Sequence, residues 1–555
     1  MLHWFRFDNC YSFVDDRVDV SADKLENANA LNMLVASNRA YYETESNPDA
    51  PYPIWRTFRS GCDGRKEDKG IWQVASIYGA NGSGKTSFLR ALSNMFFNIA
   101  DISFSSSGSL RGERFLYDSE IRDSGKSIFC EICFSLPKFG SKSECNEYRY
   151  GYLLKTDKED KKGCASQVSL EILSRLDARD SAKLEIVFLR RDNNIEEICN
   201  QNDVKILKEE FDKLGEEKKG ALALNIVGWE NMEKLQNSEL GKIHEWCRKA
   251  NGPELFYERA HDWCVEHVAR LIYEGDKDGV FTKSDFLEFM QTFDICIHDI
   301  AVEKESERGR TGNTECIYDL QVTHRDCSNG EFHSCPIEDE SDGTQKIAGM
   351  YPFIRRALLN GGLLLIDEID VKLHPWIIRD LIKKFHNPTE NVGNAQLIFT
   401  AHNLIAMDEN HVHMDESYFI DKRVNGKSQL LRLDNEATSV DLNYEKIKSK
   451  FRELGLRNLK TSKLKEEIEK LREDIQTIMA QKKESSNSDD GKELLEATNT
   501  LMKDLNSNNP SLLALFCAKH CSPFKGYAQD YLNGVFGAVP LKLATFASQH
   551  RLERM

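Results

Sequence analysis

The sequence predicts a mixed α/β protein with helices flanking its sheet, and three strand ends carry that prediction. Trp72–Tyr78 is a short apolar run that passes directly into Gly79-Ala80-Asn81-Gly82-Ser83-Gly84-Lys85-Thr86. From Thr86 to Phe97, apolar residues at 88, 89, 92, 95 and 96 have the spacing of one helical face. Leu363–Ile366 is a second apolar strand, ending in Asp367 and Glu368, and Ala395–Ala401 is a third, ending in His402. Apolar strands that deliver polar residues at their carboxyl ends are the pattern of an α/β sheet with its ligand site along one edge.

The remaining elements follow in order. Residues 1–20 alternate apolar and polar (Leu2, Trp4, Phe7, Val14, Val18, Val20), which predicts edge strands, and polar, irregular sequence continues to about Lys69. Ser105–Ser109 reads as a loop, and strands are expected at Ser127–Leu136, Glu147–Leu154 and Leu184–Leu189. Between Glu196 and Met290 the pattern turns helical, at Val204–Leu214, Met232–Ala250, Tyr257–Tyr273 and Lys283–Phe293, as in a helical insertion. Strands return at Ile295–Val302 and Cys316–Val322. After Asp441, Leu464, Ile468, Leu471, Ile475 and Ile478 follow 4-3-4-3 spacing. Ser485–Gly491 breaks that helix, and Leu494, Leu501 and Leu505 mark a second, giving a short antiparallel hairpin. A docking arm and a solvated helix pair fit it equally.

At roughly 150 residues per domain, 555 residues suggest about three or four units. Hydrophobic residues at 40% and aromatics at 10% argue against global disorder. With 74 Lys+Arg against 90 Asp+Glu, the charge of −16 disfavours a surface coated for phosphate binding, although a local basic groove is compatible with it. No apolar run approaches the roughly 18 residues of a membrane helix; Ala221–Trp229 is among the longest, and Asn225 interrupts it. The first eight residues lack the basic cap and apolar stretch of a secretory signal. A soluble, cytoplasmic protein is expected, its 15 cysteines mostly reduced. Cys130 and Cys133 form a CxxC inside an alternating strand, where positions three apart face opposite sides, so a shared metal is disfavoured. Cys517, His520 and Cys521 share a helical face but lack a second ligand pair, and packing explains them better.

Gly79–Thr86 fits GxxxxGK[ST] in full, between an apolar strand and an amphipathic helix. Such a loop wraps successive backbone N–H groups around a β-phosphate and aims a helix N-terminus at the same anion. Gly79, Asn81, Gly82, Ser83, Gly84, Lys85, Thr86 and Ser87 are therefore the expected nucleotide-binding residues, with Lys85 reaching the β- and γ-phosphates and acting in catalysis. The Thr86 hydroxyl and Asp367 are expected to hold Mg²⁺, and Glu368 to take a proton from the attacking water. ATP and Mg²⁺ are the expected ligands. Lys85 and Asp367 lie 282 positions apart (367 − 85), more than a compact GTPase or small kinase requires.

Ser341-Asp342-Gly343-Thr344-Gln345 precedes an apolar-periodic helix (Ile347, Met350, Phe353, Ile354, Leu358) some 20 residues before the acidic strand. Ser-Asp-Gly is also a common helix cap. The segment resembles the ABC signature, in which a Ser and a Gly bind the γ-phosphate of a nucleotide held by the opposite subunit, although it departs from LSGGQ. On that resemblance Ser341 and Gly343 are nucleotide-binding, and His402 is the catalytic switch histidine.

Asp367–Pro375 together with Gln396–Asn403 resembles a prokaryotic family of ABC-type, SMC/RecF-like ATPases of anti-phage defence systems. That family includes RloA, the AbiL-type ATPases, AriA of PARIS, and PtuA of Septu and retron systems. Asn9, Ser12 and Phe13 resemble its opening turn, Asp294–Ile300 its strand after the helical insertion, and Tyr531–Pro540 its closing motif. The resemblance covers roughly 300 residues. It implies an ABC-type P-loop NTPase head: an N-terminal lobe over 1–200, a helical insertion over 201–290 and a C-terminal lobe over 291–440. A helical hairpin over 441–525 and a closing segment over 526–555 complete the division.

The implied function is an ATP-hydrolysing subunit that controls a separate effector, an HNH or Toprim nuclease or toxin, through a nucleotide-dependent homodimer. A reverse transcriptase and non-coding RNA or DNA are further partners the resemblance implies, and no membrane. The alternative is a RecF- or SMC-like repair ATPase acting directly on DNA. Both share every nucleotide motif; the short hairpin and acidic charge favour the first. A non-hydrolysing scaffold is a third reading, which an intact Glu368 opposes. His411 and His413 lie too near the ATP strand for an HNH site, and no Asp-x-Asp follows Asn403 to serve a Toprim site.

Overall fold

A computed structural model describes residues 1–432 with interruptions, the longest at 15–29, 34–54, 101–109, 117–125 and 403–411, and scattered residues between 468 and 499. The chain divides into two compact units, Met1–Leu430 and Leu431–Met555. In the second, Ile468, Leu471 and Ile475 are buried, the stripe that the 4-3-4 spacing predicts. Leu464, Ile478, Leu494, Leu501 and Leu505 of the hairpin, the closing segment, Asn403, His411, His413, Cys517, His520 and Cys521 lie outside the described residues.

The first unit opens with strands β1 (Leu2–Asp8), β2 (Ala30–Asn32), β3 (Trp55–Ser60) and β4 (Glu67–Trp72). Strand β5 (Val74–Gly79) leads through the glycine loop into helix α1 (Lys85–Ala100). Next come β6 (Ile128–Pro137), β7 (Glu144–Thr156), β8 (Ala165–Leu176), β9 (Leu184–Arg191) and β10 (Asn194–Glu196). Nine of these strands form one sheet, ordered β10-β9-β8-β7-β6-β1-β2, with β3 pairing β4 and β7.

Three expectations change here. Strand β1 is no edge strand: β6 and β2 pair with it on either side, and Leu2, Phe5 and Phe7 are buried. The stretch read as irregular up to Lys69 contains β2, β3 and β4, where Arg56, Arg59, Glu67, Asp68 and Lys69 break the apolar pattern of β3 and β4. Strand β8 is additional, and its alternation of Val168, Leu170 and Ile172 with polar residues is a strand signal in its own right. Cys130 and Cys133 both lie on β6, where positions three apart face opposite sides.

Helices α2 (Asn202–Asp212), α3 (Glu239–Ala250), α4 (Glu258–Glu274) and α5 (Lys283–Phe293) are the longer helices of the helical stretch, and it serves two neighbours. Residues of α2, Ala221–Val227 and α3 join the core of the nine-stranded sheet, with Trp246 stacked on Phe134 at 4.3 Å. A fully buried ion pair anchors this contact: Arg190 lies 3.4 Å from Glu171. Glu171 accepts from the Tyr150 hydroxyl at 2.7 Å and from the N–H groups of Ala223 and Leu224 at 2.7 and 3.0 Å. Arg190 donates to the carbonyls of Asp192, Lys219 and Ala221. With so many partners the pair is saturated; removing one member would strand a buried charge, at about 3–5 kcal/mol. Asn225, the polar residue in that apolar run, donates to the Ile99 carbonyl and accepts from the Trp229 indole.

Strands β11 (Ile297–Arg308), β12 (Thr314–Arg325) and β13 (Phe332–Pro336) form an antiparallel three-stranded sheet. Helix α6 (Asp342–Asn360) follows it and packs on the other half of the helical stretch: His267 of α4 stacks on Phe353 at 5.5 Å, and Phe289 of α5 meets Tyr351 at 4.2 Å. Strands β14 (Leu363–Ile366), β15 (Gln396–Ala401), β16 (Ser417–Lys422) and β17 (Ser428–Arg432), with helix α7 (Pro375–His386) between β14 and β15, complete the unit. The last sheet has the order β14-β15-β5-β16-β17. This is a mixed α/β architecture with sheets flanked by helices, the fold class expected.

Candidate functional site at the carboxyl edge of the central strands

Strand β5 lies between β15 and β16, parallel to both, and β14 runs parallel to β15. Parallel pairing brings the carboxyl ends of β5, β14 and β15 to one edge. The glycine loop, the Asp367-Glu368 pair and His402 leave the sheet there, although 282 positions separate Lys85 from Asp367 (367 − 85).

The loop's glycines are required by space and by backbone. A Cβ on Gly79 would lie 2.6 Å from the Ser83 hydroxyl and 2.7 Å from the Ile420 carbonyl oxygen. Gly84 has φ +115, and a Cβ there would meet the hydroxyls of Ser12 and Ser428 at 2.8 Å. The opening turn thus braces the loop from outside: Ser428 donates from its backbone N–H to the Ser12 carbonyl at 2.7 Å and from its hydroxyl to Ser12 Oγ at 2.8 Å. Asn9 donates to the Lys126 carbonyl at 2.7 Å, and Phe13 packs on Phe7 and Phe88.

Lys85 begins α1 and folds back over the loop, donating to the carbonyls of Gly79 at 2.8 Å and Ala80 at 3.3 Å. Its Nζ lies 3.4 Å from His402 Nδ1. Burial lowers the Lys85 pKa, opposed by the charges of Asp367, Glu368 and Asp370. Thr86 donates its hydroxyl to Asp367 Oδ2 at 2.6 Å. A hydroxyl and a carboxylate held this close are hard oxygen donors suited to Mg²⁺. Glu368 takes a left-handed backbone, φ 49, and its Oε1 is 3.4 Å from His402 Nε2.

A cavity of about 790 Å³ opens over this edge, lined by Asn81, Gly82, Gly84, Lys85, Thr86, Ser87, Glu368 and His402. Its volume lies within the range of small-molecule sites. Tyr11, Ser12, Arg90, Arg114 and Lys422 line it as well, none of them singled out as ligands from sequence. Gly79 and Ser83 lie beneath the loop, Ser83 buried, and shape it from behind.

Two further residues organise the edge. The Thr400 hydroxyl donates to the second oxygen of Asp367 and accepts the Glu368 N–H at 2.8 Å, so one side chain fixes both acids. Its signal was a lone Thr in the apolar run of β15. Lys346 of α6 donates to the carbonyls of Glu368, Ile369 and Val371 at 3.0, 3.3 and 2.8 Å, and burial lowers its pKa to about 8. A lysine on an amphipathic helix gives no such signal.

Ser341 and Gly343 stand apart from that cavity. Ser341 is the N-cap of α6, its hydroxyl accepting the Thr344 N–H at 3.2 Å. A Cβ on Gly343 would sit 2.7 Å from the Lys372 carbonyl oxygen, so the helix start presses against the turn after β14. Both residues line a second cavity of about 420 Å³, with Met290, Phe293, Lys372, His374 and Ile377.

Residues 275–408 match the family model described as "AAA domain, putative AbiEii toxin, Type IV TA system". That stretch contains Ser341, Asp367, Glu368 and His402 and begins after the glycine loop. No curated protein matches the chain. Among solved structures, an SMC head bound to the C-winged helix domain of ScpA is 14% identical, covering 69% of this chain and 99% of its own, with TM-score 0.32. The recombination mediator protein RecF ("RecF-ATPrS") is 12% identical, covering 68% and 99%, with TM-score 0.22. The α/β assignment rests on this chain's own sheet: a central strand ending in the glycine loop, with the acidic and histidine strands on one side of it.

Proposed function

We propose that this chain is an ABC-type ATPase whose two copies close over ATP and whose nucleotide state controls a separate effector of an anti-phage defence complex. The observation that carries the reading is the separation of the two half-sites. The glycine loop, Glu368 and His402 line one cavity, with Asp367 hydrogen-bonded to the Thr86 that lines it, whereas Ser341 and Gly343 open onto another. A signature-like helix start that opens onto a different cavity from the glycine loop supports a nucleotide site shared between two copies.

In this reading the N–H groups of residues 81–86 and the Lys85 ammonium bind the β- and γ-phosphates. Thr86 and Asp367 would hold Mg²⁺, which neutralises phosphate charge when bound. Glu368 accepts a proton from the attacking water, and His402 holds the Glu368 carboxylate toward the γ-phosphate. Ser341 and the α6 N-terminus supply donors to the γ-phosphate of the opposite copy. The motifs at both ends of the chain and the family description that names AbiEii support the defence setting; the effector is a nuclease or toxin supplied in trans.

Glu368→Gln should bind ATP without turnover and run as a dimer in light scattering, while Lys85→Ala stays monomeric. Unchanged hydrolysis by Glu368→Gln would refute its role. Co-purification with a small nuclease supports effector control; tight, steeply salt-dependent DNA binding by the isolated chain would instead favour a repair ATPase.

A further inference from the structure

The three-stranded sheet carries metal-ligating side chains that the nucleotide site does not use. His324 on β12, Cys335 on β13 and Glu340, two residues before α6, bring one ligand atom each within 4.8 Å of one another. His324 Nε2 lies 2.6 Å from Glu340 Oε1, and Cys335 Sγ lies 3.5 Å from that same oxygen. A fourth donor follows from register. His324 pairs with His333 and Val322 with Cys335, so alternation along the two strands puts His324, His333 and Cys335 on one face. His333 is exposed while the other three are half-buried, which leaves an open path from solvent.

We propose that His324, His333, Cys335 and Glu340 form a binding site for a divalent cation of the zinc class. Two imidazoles, a thiolate and a carboxylate are a borderline-soft set that suits Zn²⁺ and not Mg²⁺ or Ca²⁺. With Zn–S of about 2.3 Å and Zn–O of about 2.1 Å, a tetrahedral ion separates sulfur from oxygen by about 3.5 Å. Cys335 and Glu340 already stand at that spacing. The His324–Glu340 hydrogen bond would open by roughly 0.7 Å to admit the ion. Binding replaces the Cys335 thiol proton, which leaves to solvent.

The consequence for the ATPase rests on the shared-site reading above; the binding does not. Glu340 is joined to Ser341, and Gln345 of α6 donates to the carbonyls of Glu338 and Glu340 at 3.0 and 2.8 Å. A cation at Glu340 therefore ties the β12–β13 hairpin to the start of α6 and fixes the backbone that presents Ser341 and Gly343. A second His–Cys–Glu trio, His3, Cys133 and Glu147, is buried in all three members and has no exposed side chain through which an ion would enter.

The test is metal content and Co²⁺ spectroscopy of the full chain, without nucleotide. After dialysis against Zn²⁺ and desalting, about one zinc per chain is expected, and Co²⁺ should give a thiolate charge-transfer band with the intense visible bands of a tetrahedral site. Cys335→Ser should abolish the charge-transfer band. His324→Ala, His333→Ala and Glu340→Gln should each weaken zinc affinity about tenfold or more against a chromophoric chelator. A wild-type chain that takes up no zinc, or Cys335→Ser that keeps both stoichiometry and thiolate band, overturns the proposal. The wild-type spectrum needs no variant to fold. Zinc uptake without any effect of Zn²⁺ on ATP hydrolysis would leave the site standing and remove only its link to Ser341.

Discussion

The edge that bears the glycine loop and the start of α6 differ in how complete they are. At the loop, the lysine, the threonine and the acids are held within the chain: Thr86 holds Asp367, Thr400 holds Asp367 and the Glu368 backbone, and Lys85 caps the loop carbonyls. At the start of α6, the exposed Ser341 caps its own helix and Gly343 rests on the Lys372 carbonyl. One pocket is assembled by strand pairing inside a single chain, while the other is a helix tip set against the turn that holds Lys372 and His374. Lys346 is the bridge between the two, since it belongs to α6 and holds the backbone that carries Glu368. On the reading proposed above, the contrast makes phosphate binding and hydrolysis separable by substitution.

Substitutions on either side sharpen that contrast. The largest effect is expected from Glu368→Gln, which should lower hydrolysis by about 10²- to 10⁴-fold while ATP still binds. Ser341→Arg should lower hydrolysis by about 100-fold with ATP binding to the single chain unchanged; a parallel loss of binding would break the comparison. Lys85→Ala should weaken ATP binding itself by about 100-fold, read by titration calorimetry.

The smallest effect belongs to Lys346→Met, about tenfold in hydrolysis, through loosening of the Glu368 turn. Its stability signature has a definite sign. Lys346 has a pKa of about 8 in the folded chain against an ordinary 10.5. The unfolded chain therefore holds more protons between those values, and the group's contribution to stability rises with pH across that window. Melting of the wild type relative to Lys346→Met should follow that rise; a flat difference would show the ammonium is not buried against those carbonyls.

Contiguity decided what could be read from sequence. Gly79–Thr86, Asp367-Glu368 and His402 were legible because each motif is local and ends an apolar strand. Thr400 was not, since it acts on residues 32 and 33 positions away, which only the pairing of β15 with β14 brings near. The cysteines make the same point twice. Cys130 and Cys133 look like a ligand pair in sequence and are turned apart by their strand, whereas His324 and Cys335 look unrelated and are gathered by antiparallel register. Strands β3 and β4 stayed hidden because their charged residues mask the apolar rhythm, while the core stripe of α6 was read correctly at Ile347, Met350, Phe353, Ile354 and Leu358, all buried.

Mixing two inactive variants tests the shared pocket most directly. Lys85→Ala lacks the loop half and Ser341→Arg lacks the helix half, so a mixed dimer holds one intact pocket. Mixing equal amounts with ATP should restore about a quarter to a half of wild-type hydrolysis, since Lys85→Ala does not pair with itself and each mixed dimer works at one of two sites. Hydrolysis that stays at the level of the separate variants, in a sample shown to exchange subunits, would contradict the account.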